Sequence, residues 1–167
     1  EDLRRAGALV RRIHEASARH PVDPDWPVLI PAERPELICH NDLAPWNLIV
    51  GERWTFIDWD GAGPSSRLWD LAYSAQSFAG LFDGEPVEAS AERLAAFVDG
   101  YDADGKLRSA LPAAMAQRTR AMFGLLRSAS RTGSEPWATM YGEGHGRIWR
   151  TAAVYIRDHR SEWAAAL

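Results

Sequence analysis

The 167-residue sequence has a single cysteine, Cys39, and a single lysine, Lys106, among its 19 basic residues. One cysteine excludes an intrachain disulfide framework and a thiolate-rich zinc site. Long apolar runs are also missing. No stretch approaches the roughly 18 residues of a membrane span, and no charged-then-apolar leader opens the chain. A soluble, cytoplasmic protein without a membrane partner is therefore expected. Nor is there an excess of positive charge. A formal charge of −4 gives no electrostatic footprint for nucleic acid, which calls for a basic domain, and leaves room for a cationic or neutral small ligand. What is present is ordinary: 46% hydrophobic and 25% charged residues suit one globular domain with its own core.

Apolar spacing divides the chain into three parts. Over residues 1–36, Leu3, Ala6, Val10 and Ile13 recur at helical spacing up to Arg19. Pro21, Pro24 and Pro27 then impose an extended connector. The arginines of this helix are interspersed with Glu1, Asp2 and Glu15 and read as a solvated face rather than a phosphate patch. Over residues 37–73 the texture changes to short apolar runs. Leu37-Ile38-Cys39 reads as a brief strand, and Leu48–Val50 with Trp54–Ile57 as a tight hairpin turning at Gly51. The loop from Gly61 to Ser66 is expected to continue neither helix nor strand. Helices are expected at Leu68–Leu81, Ala89–Tyr101 and Leu107–Arg131, and a fourth from Glu135, kinked around Gly142–Gly146. The fold class is therefore mainly α with a small β hairpin (α+β), residues 74–167 forming a helical subdomain.

Polar residues concentrate where the β insert begins, in His40-Asn41-Asp42-Leu43-Ala44-Pro45-Trp46-Asn47, and again after the hairpin in Ile57-Asp58-Trp59-Asp60. A carboxylate, an amide and a second carboxylate across a hairpin can converge on one point. Together they supply a proton acceptor and two hard oxygen ligands, which suits magnesium when phosphate oxygens fill its remaining positions. Other candidates are weaker. His14, His20, His145 and His159 lack ligand spacing. Cys39 reads as a buried small apolar residue. Ser65 and Ser66 have no nucleophile-elbow context, and no strand precedes the glycines of Tyr141–Gly146 to make a phosphate cradle.

The pattern from Leu37 to Tyr73 resembles the catalytic loop of the kinase superfamily, H-x-D-x-x-x-x-N followed by a metal-binding Asp after a short hairpin. With Ile57-Asp58-Trp59 in place of Asp-Phe-Gly, and Leu68-Trp69-Asp70-Leu71-Ala72 after it, it is similar to the aminoglycoside phosphotransferase and choline kinase branch, the phosphotransferase enzyme family. Many relatives carry Gly where this chain has Asn41, a departure expected to change little.

The resemblance implies the C-terminal lobe of a protein-kinase-like fold and assigns roles. Asp42 accepts or orients the proton of the attacking hydroxyl. Asn47 and Asp58 hold magnesium on the phosphates of ATP (or GTP). His40 and Asp70 support the catalytic loop, although Asp70 also reads as the cap of the helix it opens. Asp60 either touches a second metal or faces solvent.

The glycine-rich loop and strand lysine that clamp a nucleotide in such kinases have no counterpart before His40, and Lys106 lies after the metal motif. An N-terminal nucleotide lobe of about 100 residues is thus expected to be missing, in keeping with Glu rather than Met at residue 1. Its absence would leave this part inactive alone, with that lobe as its partner.

The implied function is phosphoryl transfer to a hydroxyl of a small molecule, an aminoglycoside or another cationic alcohol, with antibiotic resistance or toxin immunity as one use. The acidic residues Asp83, Glu85, Glu88, Glu92, Asp99, Asp102 and Asp104 suit such a substrate, or are simply solvated. Trp46 and Trp59 flank the motif and read as substrate stacking or as core. A non-catalytic binding or immunity protein on the same lobe is the alternative, and retention of Asp42, Asn47 and Asp58 together speaks against it.

Overall fold

The computed structural model describes residues 1–23 and 25–167. Pro24 of the expected connector lies outside them. Seven α-helices and two small antiparallel strand pairs make up these described residues. The mainly α class with a small β insert is therefore correct.

Helix α1 (Asp2–Ser17) buries Ala6, Gly7, Val10 and His14, and it packs chiefly on α3 (Val87–Tyr101). Two glycines make the crossing close. A Cβ on Gly7 would lie 2.7 Å from the Tyr101 nitrogen, and one on Gly100 would lie 2.6 Å from the Arg4 carbonyl carbon. The arginine face of α1 is held in ion pairs, Arg4 with Asp99 at 2.8 Å and Arg11 with Asp102 at 3.1 Å.

Strand β1 (Leu37–Cys39) pairs antiparallel with β4 (Gly63–Ser65), and β2 (Leu48–Ile49) with β3 (Thr55–Phe56). Strand β4 corrects the expectation of an irregular loop from Gly61 to Ser66. Proline is tolerated because the pair has only two strands, so Pro64 needs no donor toward a further strand. Gly63 lies so close to Val28 that a side chain there would collide with it. The β2–β3 hairpin is shorter than the apolar runs suggest, and Gly51 turns without a positive φ. Its permissiveness is not what makes the turn.

Helix α2 (Arg67–Ala79) starts at Ser66, whose side chain accepts from the Trp69 N–H. The cap is therefore Ser66 and not Asp70, which leaves the Asp70 carboxylate free for other partners. Helix α4 (Gly105–Thr132) is capped by Asp104 and runs through a buried Pro112. The expected fourth helix is divided into α5 (Trp137–Met140), a wide turn at Tyr141–His145 with Gly144 at φ 107°, and α6 (Gly146–Asp158). A final helix, α7 (Arg160–Ala166), lies beyond the range read from sequence and buries Trp163 completely.

Helices α1, α2, α3, α4 and α7 enclose the main core, with Leu71, Leu94, Phe97, Leu111, Met115 and Trp163 fully buried. Each such side chain contributes about 1.5–3 kcal/mol relative to exposure. A second cluster of Ala44, Tyr73, Met122, Leu126 and Trp149 joins the segment after β1 to α2, α4 and α6. Among the described residues, no helix is long and apolar enough to cross a membrane.

Candidate active site

The polar segment after β1 is pinned at nearly every group, and His40 begins the pinning. Its ring is completely buried, with Nε2 donating to the Ile57 carbonyl at 3.0 Å and Nδ1 accepting from the Asp42 N–H at 3.3 Å. The partners set the tautomer, since a carbonyl can only accept. One imidazole thus ties the segment before Asp58 to the backbone at Asp42.

Asn41 adopts φ +66°, a left-handed conformation in which asparagine is one of the few tolerated side chains. Its side-chain amide donates to the Gly61 carbonyl at 3.0 Å and faces the Gly63 carbonyl at 3.4 Å. Its N–H donates to Asp70 Oδ1 at 2.9 Å, and its carbonyl accepts from Arg118 Nη2 at 3.0 Å. The expectation that this departure changes little is corrected. The positive φ explains why the position takes Gly or Asn, and the asparagine adds bonds that glycine cannot make.

Asp42 is half-buried, and its Oδ2 accepts from Asn47 Nδ2 at 2.8 Å. The same Nδ2 donates to the Asp42 carbonyl at 2.9 Å. Burial pushes the Asp42 carboxyl above the usual carboxylate range, opposed by hydrogen bonding from Tyr73 and Asn47 and by the charges of His40 and Arg118. A carboxylate raised toward neutrality is a better proton acceptor than a solvated one. Because Asn47 is engaged through Nδ2, its Oδ1 remains as the atom able to face a cation.

Asp58, also left-handed at φ 64°, precedes the short turn Trp59–Gly61 that contains Asp60. Both carboxylates are exposed, and both line one cavity with Asp42. They do not lie on a strand, so a shared strand face is not what relates them. Trp46 lines the cavity and is 57% exposed, whereas the 47% exposed Trp59 packs at a tilt against His40 with ring centroids 4.5 Å apart. Neither tryptophan is core.

Asp70 is buried under this segment at 1% exposure. While Oδ1 holds the Asn41 N–H, Oδ2 meets His14 Nε2 at 3.0 Å, and His14 Nδ1 meets the Tyr101 hydroxyl at 2.8 Å. His14 was set aside at the sequence level for want of ligand spacing. Its position one turn after Val10, on the apolar stripe, was the available sign that it is buried. Cys39 completes a cluster in which the ligand atoms of His14, Cys39 and Asp70 lie within 4.8 Å of one another. That cluster is a support and not a metal centre. Both Asp70 oxygens are already in hydrogen bonds, and burial pushes the Cys39 thiol far up, away from thiolate.

Arg118, on α4, had no sequence signal. It is 4% exposed, with its guanidinium carbon 4.7 Å from the Tyr73 ring centroid and 5.9 Å from that of Trp69. Its Nη1 is buried without a partner.

The acidic residues after Tyr73 are not gathered around this site, and none of them lines the cavity. Asp99 pairs with Arg4 and Arg108, Glu85 with Arg93, and Asp104 caps α4. Asp99, Glu85 and Asp104 are thus engaged within the fold, and these acidic residues do not gather at this cavity.

The donor set fits a hard cation beside phosphates, with an amide at Asn47 bonded to Asp42 and exposed carboxylates at Asp58 and Asp60 lining the cavity that Asp42 also lines. No curated protein and no solved structure matches the chain. The sequence model of the phosphotransferase enzyme family matches residues 1–111, which span α1, both strand pairs, the catalytic segment, α2 and α3. On that match the chain belongs to the phosphotransferase enzyme family, and its fold is kinase-like.

Proposed function

We propose that this chain is the catalytic lobe of a cytoplasmic, ATP- and magnesium-dependent phosphotransferase that acts on a hydroxyl of a small molecule. Asp42 is the proton acceptor. The hydroxyl oxygen of the acceptor forms its bond to the γ-phosphorus, the bond from that phosphorus to the β–γ bridging oxygen breaks, and ADP leaves. The hydroxyl proton passes to the Asp42 carboxylate. Asn47 and Asp58 would hold magnesium, with Asp60 beside them, and the bound ion would neutralise phosphate charge during transfer. His40 and Asp70 act through the backbone, keeping Asp42 and Asp58 in fixed relation.

The observation that carries this reading is the Asp42 carboxylate, joined at 2.8 Å to Asn47 Nδ2 and lining one cavity with Asp58. A scaffold used for binding alone has no need of a half-buried carboxylate coupled to an amide in this way. A nucleotide lobe that these residues do not include would cover the ATP. In support, the hairpin offers Ile49, Val50 and Ile57 as exposed apolar side chains, and the residues ahead of Asp42 hold neither a glycine-rich strand turn nor a lysine.

The test is ATP turnover by the full-length gene product, with ADP release and product mass followed against a panel of alcohols. Asp42→Ala abolishes transfer without unfolding the protein. Unchanged turnover in that variant would remove the assignment.

A further inference from the structure

The cavity that holds Asp42 has a volume of about 580 Å³, the size of pockets that take drug-sized ligands. Its lining is of two kinds. Asn41, Asp42, Asp58 and Asp60 are its polar part. Phe82, Met122, Leu125, Trp137, Met140 and Ile148 belong to its apolar part, as does Trp149, stacked on Tyr73 at 5.9 Å between ring centroids. The apolar part is held in place. Trp69 donates from its indole to the Ile30 carbonyl at 3.1 Å, fixing the connector that closes one edge, and the Tyr155 hydroxyl donates to the Glu85 carbonyl at 2.9 Å, fixing the loop after Phe82.

Charge decides what the apolar part can receive. The only carboxylates lining the cavity are Asp42, Asp58 and Asp60, all of them in the part assigned to proton and metal. Beyond these, the ionisable groups of the lining are Tyr73, Arg118 and His145. A substrate ammonium placed among the tryptophans and methionines would find no carboxylate there and would meet the buried Arg118 guanidinium. That guanidinium also has a donor without a partner, because Nη1 makes no hydrogen bond. A buried donor left unmade costs about 1–3 kcal/mol, so an oxygen supplied by a ligand is favoured at this point.

Resting on the phosphotransfer reading above, we infer that the acceptor is an alcohol on an apolar, ring-bearing body without a cationic group, anchored by an oxygen that accepts from Arg118. Most of the side chains that define this preference, from Arg118 through Trp149, lie outside the 1–111 span of the family match. Acceptor choice thus belongs to the helical part of the chain, and the transfer chemistry to the matched part.

The test uses the full-length protein and four probes: 2-naphthylethanol, its ring-carboxylated counterpart, kanamycin and choline. Binding is read by calorimetry, and transfer by ADP release with product mass. The two naphthyl alcohols bind and are phosphorylated, with kcat/KM at least about tenfold above kanamycin and choline. The carboxylated probe binds more tightly than the plain one. Arg118→Met removes that advantage, a loss of about tenfold for one charge-assisted hydrogen bond, while the plain probe changes far less. Arg118→Lys, which keeps the charge and gives up the planar fork, falls between them. Asp42-dependent phosphorylation of kanamycin or choline in preference to the naphthyl alcohols overturns the acceptor inference and leaves the phosphotransfer reading intact. Failure of the naphthyl alcohols to bind overturns it as well. Binding of the naphthyl alcohols with no transfer to any probe upholds the apolar pocket with its Arg118 anchor and overturns the phosphotransfer reading on which the acceptor role rests.

Discussion

Asp70 gives the sharpest quantitative prediction, because it is buried and both of its carboxylate oxygens are in hydrogen bonds. Its carboxylate accepts from the Asn41 N–H at 2.9 Å and meets His14 at 3.0 Å, with exposures of 1% at Asp70 and 0% at His14. Asp70→Ala leaves the Asn41 N–H and the His14 Nε2 without their carboxylate partner. At about 1–3 kcal/mol for each unsatisfied group, the loss is about 2–6 kcal/mol. At about 2–4 °C per kcal/mol for a chain of this size, a mid-range loss lowers Tm by roughly 8–16 °C.

Asp70→Asn separates hydrogen bonding from charge. Its carbonyl still accepts from Asn41, and its amide can donate to His14 Nε2 if the imidazole moves its proton to Nδ1 and donates to the Tyr101 hydroxyl. That tautomer satisfies every partner, so the asparagine variant recovers most of the loss. Urea unfolding at constant m-value, read by tryptophan fluorescence, measures both variants, and a cycle with His14→Ala gives the coupling, expected at about 1–3 kcal/mol. An alanine variant within about 0.5 kcal/mol of the parent, the level of an unremarkable surface change, would refute the argument. So would an asparagine variant as unstable as alanine.

Three further outcomes follow from the same geometry. Asp42→Asn loses transfer yet is more stable than the parent near neutral pH. Burial raises the Asp42 pKa in the folded state, so the folded chain binds that proton more readily than the unfolded one. Stability then falls as pH rises from the ordinary carboxylate pKa through the raised one. Unfolding measured from pH 3 to 8 should show the two proteins diverging with rising pH, and parallel curves would contradict it. Gly100→Ala drives a Cβ to within 2.6 Å of the Arg4 carbonyl carbon, which forces α1 away from α3. A loss of about 1–3 kcal/mol is expected, as for overpacked cores, and thermal denaturation checks it. At Asn41, with φ +66°, the order of stability by urea unfolding is parent, then glycine, then alanine. Both variants lose the side-chain bonds, and alanine alone adds about 1–2 kcal/mol of left-handed strain.

The local parts of this molecule were legible because local rules govern them. Helical spacing located α1 to α4 and the kink before α6. The polar run from His40 to Asn47, with Asp58 after a hairpin, brought one cavity's polar part into view. What escaped notice depends on contacts between residues far apart in the chain. His14 meets Asp70 across 56 positions, and Arg118 meets Asn41 across 77, separations that carry no periodic signal. Strand β4 was hidden because glycine and proline speak against a strand, whereas the structure uses them at an edge packed against Val28. The pairing of the acidic residues was hidden for a related reason. Composition counts carboxylates, but only the fold shows that Asp99 and Glu85 are spent on arginines.

These long-range contacts converge on one residue. Asn41 has its N–H held by Asp70, its carbonyl by Arg118, and its side chain by carbonyls flanking β4. With both peptide ends and the side chain fixed, the backbone entering Asp42 has almost no torsional freedom left. The Asp42 N–H is then held by His40, and its carboxylate by Asn47. The entropy of ordering the backbone at Asp42, about 1–2 kcal/mol for each residue fixed, is therefore met during folding. Arg118, which holds the Asn41 carbonyl, has its pKa lowered by burial, and Tyr73, Asp70 and Asp42 oppose that fall. The groups that fix Asn41 therefore also sense one another's charge.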